Sequence, residues 1–376
     1  MTHALDTPRE VGRDDNIFIE GDDVGDSASS GTVSETIDPL VGSSWDRLTL
    51  SHPESTIFHS AAWAKVLSKT YGHKPVYLQF YRCRKLIALV PLMEIVSPLT
   101  GRRGISLPFS DFCPPLVFGE LRQESLMARL LELGRQRNWR YFELRGGRET
   151  LPGSAITAEK YYGHKLDLTV GCDELLARFD GSVRRAIRKA VKSELVAEAS
   201  TCFEAVKDFY RLHVRTRRRH GLPPQSFAFF RNVHEEIIKA GLGFVVLAKR
   251  RLRPLAAAIF FHSGDKALYK FGASDERLQE VRGNNLVMWE AIKRLAGLGH
   301  QTLHFGRTAI RDEGLRRFKL SWGTEEETIE YFRFALHGEA WDGNRRDRSG
   351  FHNQVFSRLP LAVNRFAGSL IYPHLD

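Results

Sequence analysis

The sequence predicts a mixed α/β fold built on a duplicated β-β-β-α-β unit, and three observations carry that reading. Stretches that alternate apolar and polar residues are interleaved with amphipathic helical stretches, the pattern of sheets covered by helices. The order strand, strand, strand, helix, strand occurs twice. Its clearest copies, LMARLLELGRQRNWRYFELRG from Leu126 and VMWEAIKRLAGLGHQTLHFGR from Val287, share helix, glycine, polar turn, strand and a Gly/Arg end. No apolar run reaches the ~18 residues of a spanning helix. The best, Leu86 to Val96, is interrupted by Pro91 and Glu94.

At 376 residues the chain has material for two cores. Residues 1–40 carry ten carboxylates against Arg9 and Arg13, net −8, which leaves +18 of the overall +10 to residues 41–376. A body that basic calls for anionic partners: phosphates of a cofactor, RNA, a nucleotide-sugar or an anionic membrane surface. The four cysteines, Cys83, Cys113, Cys172 and Cys202, are dispersed without metal-ligand spacing. Neither a metal site nor a disulfide framework is expected, and a reducing cytoplasm is the expected location. Residues 1–38 are acidic and poor in large apolar groups, so they are expected to be disordered.

Order is expected to begin near Trp45. A helix from Ala61 to Thr70 takes Ser60 as N-cap, followed by strands Val76–Cys83 and Leu86–Val96 and an apolar segment Ile105–Phe109. A helix from Leu121 to about Arg137 and a strand Tyr141–Leu144 complete the first unit. The second has strands Gly243–Lys249, Pro254–His262 and Lys266–Gly272, a helix Leu286–Gly297 and the strand Thr302–Phe305. Between them lie three helices: Val183–Lys192, Phe203–Arg219 and a third running roughly from Phe227 to Ala240. Arg185, Arg188 and Lys189 fall on the polar face of the first, and Arg215, Arg217, Arg218 and Arg219 crowd the end of the second. A final strand, Glu330–Phe334, precedes a basic tail with an amphipathic segment from Val355 to Leu370. That segment is expected to pack on the body, with contact to a membrane surface as the alternative. The expected boundaries are 1–38 for the acidic segment, 39–170 and 171–340 for two domains, and 341–376 for the tail.

The chemistry concentrates in TLHFGRTAIRDEGLRRFKLSWG, Thr302 to Gly323. Gly306 breaks the strand, Asp312 is a helix N-cap, and Gly323 ends the helix. Leu315, Phe318 and Trp322 form one apolar stripe, with the cation Lys319 on or beside it. Such an ammonium either snorkels to water or is aimed at an anion in a cleft.

Several strings resemble the FemAB-like branch of the GNAT acyltransferase superfamily. They are Phe58-His59-Ser60, Gly72-His73-Lys74-Pro75, Leu107-Pro108-Phe109-Ser110-Asp111, the Arg184–Lys192 helix, Phe305-Gly306-Arg307, Gly314 to Lys319, and Trp322-Gly323. They span about residues 45–336, and the match looks nearest to proteins associated with exopolysaccharide gene sets. The resemblance implies two tandem GNAT-like domains, each a mixed, mostly antiparallel sheet flanked by helices. It also implies acyl transfer to an amine of a cell-envelope polysaccharide or peptidoglycan-type precursor. The donor would be acetyl-CoA, another acyl-CoA or an aminoacyl-tRNA. The acceptor would be a small-molecule, lipid-linked or nucleotide-linked sugar, and DNA is not an expected partner. Phe318 and Lys319 fall on the family's Phe-Lys pair near the acyl-transfer site. The alternative is a non-catalytic protein that binds an anionic polysaccharide or RNA on the duplicated fold.

Acyl transfer needs a neutral amine, a donor carbonyl held close, and dipoles aimed at the oxyanion. Lys319 is the candidate cation, and Asp111, Tyr269 and Asp312 are candidates to receive the proton. Each of these three has an ordinary reading, as turn cap, cross-strand packing partner and helix N-cap. Arg307, Phe318 and Trp322 are candidate substrate contacts, as are Arg185, Arg188 and Lys189 for phosphates. Arg282, Gly283, Asn284 and Asn285, directly before a helix, occupy the place where a pyrophosphate would meet free N–H groups. They carry one glycine where the superfamily's loop has two, and a plain Gly-Asn turn fits equally. There is no Walker loop, GxGxxG or GxSxG.

Overall fold

The computed structural model describes residues 32–42, 44–343 and 351–376. β1 (Thr32–Ile37) lies inside the stretch expected to be unfolded, where it pairs antiparallel with residues 77–82. Main-chain bonds hold it, and they do not depend on side-chain polarity. Residues 1–31 of that expectation lie outside the described residues. α1 (Ser44–Leu50) and α2 (Ala61–Tyr71) follow. The Ser60 hydroxyl accepts from the Trp63 N–H to start α2, and Gly72, at φ +71°, ends it.

The strand expected over 86–96 is two strands in two sheets. β2 (Lys74–Pro75) and β3 (Tyr77–Arg82) precede β4 (Lys85–Val90), and β5 (Met93–Ser97) resumes after Pro91-Leu92. Proline has no N–H for a ladder, so the chain changes sheets there. β6 is Gly101–Ile105. The apolar segment 105–109 ends β6 at Ile105 and then turns, with Leu107 and Phe109 at φ +56° and +59°. β7 (Leu116–Val117), α3 (Gln123–Gln136), β8 (Tyr141–Arg145) and β9 (Thr157–Asp167) complete this half.

α4 (Cys172–Arg178), α5 (Gly181–Lys192), β10 (Val196–Ser200), α6 (Phe203–Arg219) and α7 (Phe227–Val233) open the second half. The strands β11 (Gly243–Arg250), β12 (Arg253–Ser263) and β13 (Lys266–Ser274) are antiparallel neighbours. Then come α8 (Gly283–Gly297), β14 (Thr302–His304), β15 (Thr308–Ala309), α9 (Glu313–Leu320), β16 (Glu325–Ala335) and β17 (Ala340–Trp341). The tail is helical, α10 (Phe351–Arg358) and α11 (Leu361–Ile371), split at Pro360.

Among the described residues, β1, β3, β4 and β7 form one sheet, and a larger sheet runs β10-β11-β12-β13-β14-β9-β16-β8-β6-β5-β2. The mixed, mostly antiparallel reading holds. Each half contains an antiparallel pair, a helix and a strand parallel to the pair's second member. Arg103–Ile105 lie beside Tyr141–Glu143 in the first half, and Lys266–Leu268 beside Thr302–His304 in the second. The returning strands are exchanged. β9, which ends the first half, pairs with β14 of the second, while β16, which ends the second, pairs with β8 of the first. β9 and β16 pair with each other at the centre. A boundary at residue 170 therefore divides the chain but not the sheet. β9 was absent from the sequence reading, because YYGHKLD alternates poorly around Gly163.

Candidate active site

The site forms where β13 leaves β14. β13 is nine residues long, yet its parallel partner covers only Lys266–Leu268. Beyond that point the strands diverge, and β14 ends at Gly306, φ +70°. A bulge sits at the divergence: Ile259 and Phe260 face Phe271 and Tyr269, leaving Lys270 unmatched. An extra residue in one strand re-aims its side chain. The Lys270 ammonium accordingly donates to the Phe109 carbonyl (2.7 Å) and to Asp111 Oδ2 (2.9 Å). Asp111 comes from the first half, so this ion pair fastens the two halves at the notch.

The Asp111 loop is held rigidly. The Arg145 guanidinium donates to the carbonyls of Leu107 and Ser110, both at 3.1 Å, and the Tyr331 hydroxyl donates to that of Asp111 (2.7 Å). Burial pushes the Asp111 carboxyl up, but the Lys270 ammonium and the Arg307 guanidinium outweigh it and hold the group below its ordinary value. Gly306 lies against this carboxylate: a Cβ there would come within 3.3 Å of the Tyr269 carbonyl and 3.5 Å of Asp111 Oδ2.

Lys319 closes the cluster. It is 2% exposed, and its ammonium donates to the carbonyls of Gly306 (2.7 Å) and Arg307 (3.1 Å). The expected stripe holds at Phe318 and Trp322 but not at Leu315. Lys319 is the buried residue of α9, while Leu315 is 36% exposed. Two free carbonyls after a broken strand attract a cation more strongly than apolar contact attracts leucine. Burial lowers the Lys319 pKa to about 8. Asp312 caps α9, its Oδ1 accepting from the Leu315 N–H at 3.0 Å, which is its ordinary reading.

Beside the notch, between the halves, is a cavity of about 380 Å³. Phe58, Phe112 and Arg148 line it from the first half, Lys266, His304 and Glu327 from the second. His304 Nδ1 accepts the Gly306 N–H (2.9 Å), which leaves Nε2 to donate to Glu327 (3.1 Å). Burial keeps this imidazole neutral by lowering its pKa. Gly306 thus meets the Lys319 ammonium through its carbonyl and the cavity's histidine through its amide.

Of the other candidates, Tyr269 and Arg307 adjoin the cluster and the α5 and α8 groups lie apart from it. Tyr269 stands at the divergence, where burial raises its pKa to about 12. The Arg307 guanidinium is enclosed between Tyr161 and Tyr331 and donates to the Tyr331 hydroxyl (2.6 Å). Phe318 is half-buried against the core. Trp322 is fully buried, enclosed among Phe179, Phe305 and Phe318. Arg185, Arg188 and Lys189 are exposed on α5, which packs against α8 and the 276–281 turn. Gly283 starts α8, where a Cβ would come within 3.0 Å of Ala256, while Arg282 and Asn284 are exposed and Asn285 is half-buried. Sequence reasoning missed Lys270 and the His304–Glu327 pair. A bulge residue has no periodicity of its own, and the pair is joined across two strands.

Residues 177–327 match a family described as an acetyltransferase (GNAT) domain. The fold is similar to that of FemX, with TM-score 0.61 and 17% identity over 79% of this chain and 96% of that one. It is also similar to a tandem GNAT protein from the clavulanic acid biosynthesis pathway (0.51, 10%, 84% and 100%). A further likeness is to the C-terminal domain (DUF2156) of a candidate lysylphosphatidylglycerol synthetase from Agrobacterium fabrum (0.50, 12%, 76% and 91%). No curated protein matches the sequence. Residues 177–327 thus match the GNAT acetyltransferase domain family, in a chain whose fold is similar to that of a tandem GNAT protein.

Proposed function

We propose that this chain is an acyltransferase that moves an acyl group from an acyl-CoA or an aminoacyl-tRNA to an amine. The acceptor is an amine of a cell-envelope polysaccharide or peptidoglycan-type precursor. The observation that carries the reading is the parallel pair β13/β14, which separates after three residues beside a cavity shared by both halves. Separated parallel strands leave main-chain groups unpaired inside the protein, and a carbonyl-bearing donor satisfies them. The acyl-CoA alternative draws on the GNAT domain, with the amide groups at the start of α8 facing the donor's phosphates. The aminoacyl alternative draws on the likeness to FemX and to the synthetase domain. The exopolysaccharide association rests on the sequence resemblance alone.

In this reading the acceptor amine approaches from the cavity and attacks the donor carbonyl. The C–N bond forms as the thioester or ester bond breaks, and the amine's proton leaves with the departing thiol or hydroxyl. Lys319 places a positive charge under the Gly306–Arg307 turn, where it steadies the turn and offsets negative charge developing on the carbonyl oxygen. The test is a radiolabel assay with acetyl-CoA, longer acyl-CoAs and aminoacyl-tRNA against amino-sugar and peptidoglycan-type acceptors, with a thermal-shift screen of the same donors. Saturable stabilisation by one donor together with acceptor-dependent release of thiol or tRNA is the expected result. Binding of anionic polysaccharide or RNA without turnover would establish the non-catalytic alternative.

A further inference from the structure

Glu327 lies where the cavity meets the notch. On β16 it stands directly across from Gly163 of β9, and its side chain lies over that glycine. A Cβ at 163 would come within 2.8 Å of Glu327 Cγ and 3.0 Å of His304 Nε2, so glycine leaves the room in which carboxylate and imidazole meet. Oε1 accepts from His304 Nε2 (3.1 Å), and Oε2 pairs with the Lys165 ammonium (2.5 Å). The two partners differ. His304 is buried, bonded to Gly306 and set against Phe112 with ring centres 4.6 Å apart. Lys165 has half its side chain exposed.

An exposed ion pair is worth little, so another ammonium can replace that of Lys165. Burial raises the Glu327 pKa, but the bonds from His304 and Lys165 outweigh it and hold the group at about 2, so it is ionised. The other charges on the cavity wall are engaged or peripheral. Lys266 donates to the Pro53 carbonyl and Arg148 to that of Ala155 (2.6 Å). Glu330 bonds Lys160 and Thr157, while Glu54 and Glu149 are exposed. Phe58, Phe112 and Phe332 add aromatic faces, which attract a cation.

We propose that Glu327 Oε2 is the docking point for the acceptor's primary ammonium, and that Lys165 holds this position until the acceptor displaces it. The acceptor nitrogen then rests two hydrogen bonds from the Gly306 turn, through His304. It gives one proton to water in the open cavity before attack, and the second leaves with the departing thiol or hydroxyl. His304 does not take the first proton, since Nδ1 is occupied by the Gly306 N–H and Nε2 carries its own. An alcohol has no charge with which to displace Lys165, so the site selects amines over alcohols. The fate of the amine rests on the acyltransferase reading; its binding does not.

The experiment compares acceptor KM in wild type, Glu327→Gln and Lys165→Met, with the donor identified by the radiolabel assay. Glutamine retains an oxygen for the His304 N–H and removes the charge. Acceptor KM is expected to rise at least about tenfold, with donor KM and melting temperature nearly unchanged. Lys165→Met removes the competing ammonium and is expected to lower acceptor KM, which the loss of a merely structural ion pair would not do. An unchanged acceptor KM in Glu327→Gln, a KM raised alike by both substitutions, or equal use of an amine and its matched alcohol overturns the proposal and leaves the transfer reading standing. Binding is read separately by calorimetry, with glucosamine and pentylamine against glucose and pentanol. If wild type transfers nothing from any donor, amine binding that is lost in Glu327→Gln supports the site and removes the acyltransferase reading. Binding that shows no preference for the amines overturns the site.

Discussion

The two halves contain the same parallel pair, and they treat it in opposite ways. In the first half the pair is closed. Trp139 lies on Gly104 so tightly that a Cβ there would come within 2.2 Å of the indole, and Trp139 Nε1 donates to Glu94 (2.9 Å). Just beyond, the Ser106 N–H bonds the Glu143 carbonyl (2.8 Å), and the Ser106 hydroxyl accepts from the Arg145 N–H (2.6 Å). In the second half the strands separate, and what fills the space comes from outside the pair: Asp111 from the other half and Lys319 from the next helix. A duplicated unit can thus become a buttress while its twin keeps the opening. The first half contributes to the second half's notch by lending it a loop.

If the Lys270–Asp111 pair joins the halves, breaking it should have the largest effect. Lys270→Met leaves the Asp111 carboxylate buried without its bonded cation, and the expected loss is about 3 kcal/mol of unfolding free energy in urea titrations. A loss below about 1 kcal/mol would mean that the loop docks without the pair.

Lys319→Met tests the open notch itself. Loss of a charge that offsets the oxyanion costs on the order of a hundredfold in kcat, read in single turnover; a rate within threefold of wild type would exclude the role. The same variant has a pH signature. Lys319 has a folded-state pKa of about 8 against an ordinary 10.5, so folding disfavours its charged form. Between those values the unfolded chain holds the proton and the folded chain does not, and stability therefore rises with pH across that window. The rise is expected in wild type and missing in Lys319→Met.

A pair of glycine variants sharpens the comparison at a smaller scale. Gly104→Ala forces a methyl into the Trp139 ring and is expected to cost about 1–3 kcal/mol with little change in kcat. Gly306→Ala meets looser contacts and pays mainly for its left-handed backbone, about 1 kcal/mol, but is expected to reduce turnover far more. Similar activity losses in both would erase the distinction between the closed and the open pair.

The smallest stability effect is expected at α5. Replacing Arg185, Arg188 and Lys189 with Gln removes exposed charges and should leave the melting temperature nearly unchanged. If these groups meet substrate phosphates, KM rises; an unchanged KM makes them a solvated face.

Helix α6 shows how far local pattern reaches. Its bounds, Phe203–Arg219, follow from apolar spacing and basic residues in the last turn. The Asp312 cap was legible for the same reason, since a short acceptor before a helical stripe satisfies amides within its own turn. Lys319 stood out as a cation on an apolar face, yet the sequence did not show what held it. Its two acceptors are main-chain carbonyls a dozen residues away, and main-chain groups carry no sequence signature. Lys270 was not legible at all, because its direction comes from a bulge in the ladder with β12.

By itself the sequence determined the mixed α/β class, the repeated order of elements and most helix ends, because these depend on side chains within a few residues of one another. Only the tertiary structure decided that the halves exchange their returning strands, that one parallel pair closes and the other opens, and that Asp111, Lys270, Gly306 and Lys319 meet. Strand pairing and buried charge are settled by groups distant in sequence, each satisfying hydrogen bonds that its own neighbours leave unmade.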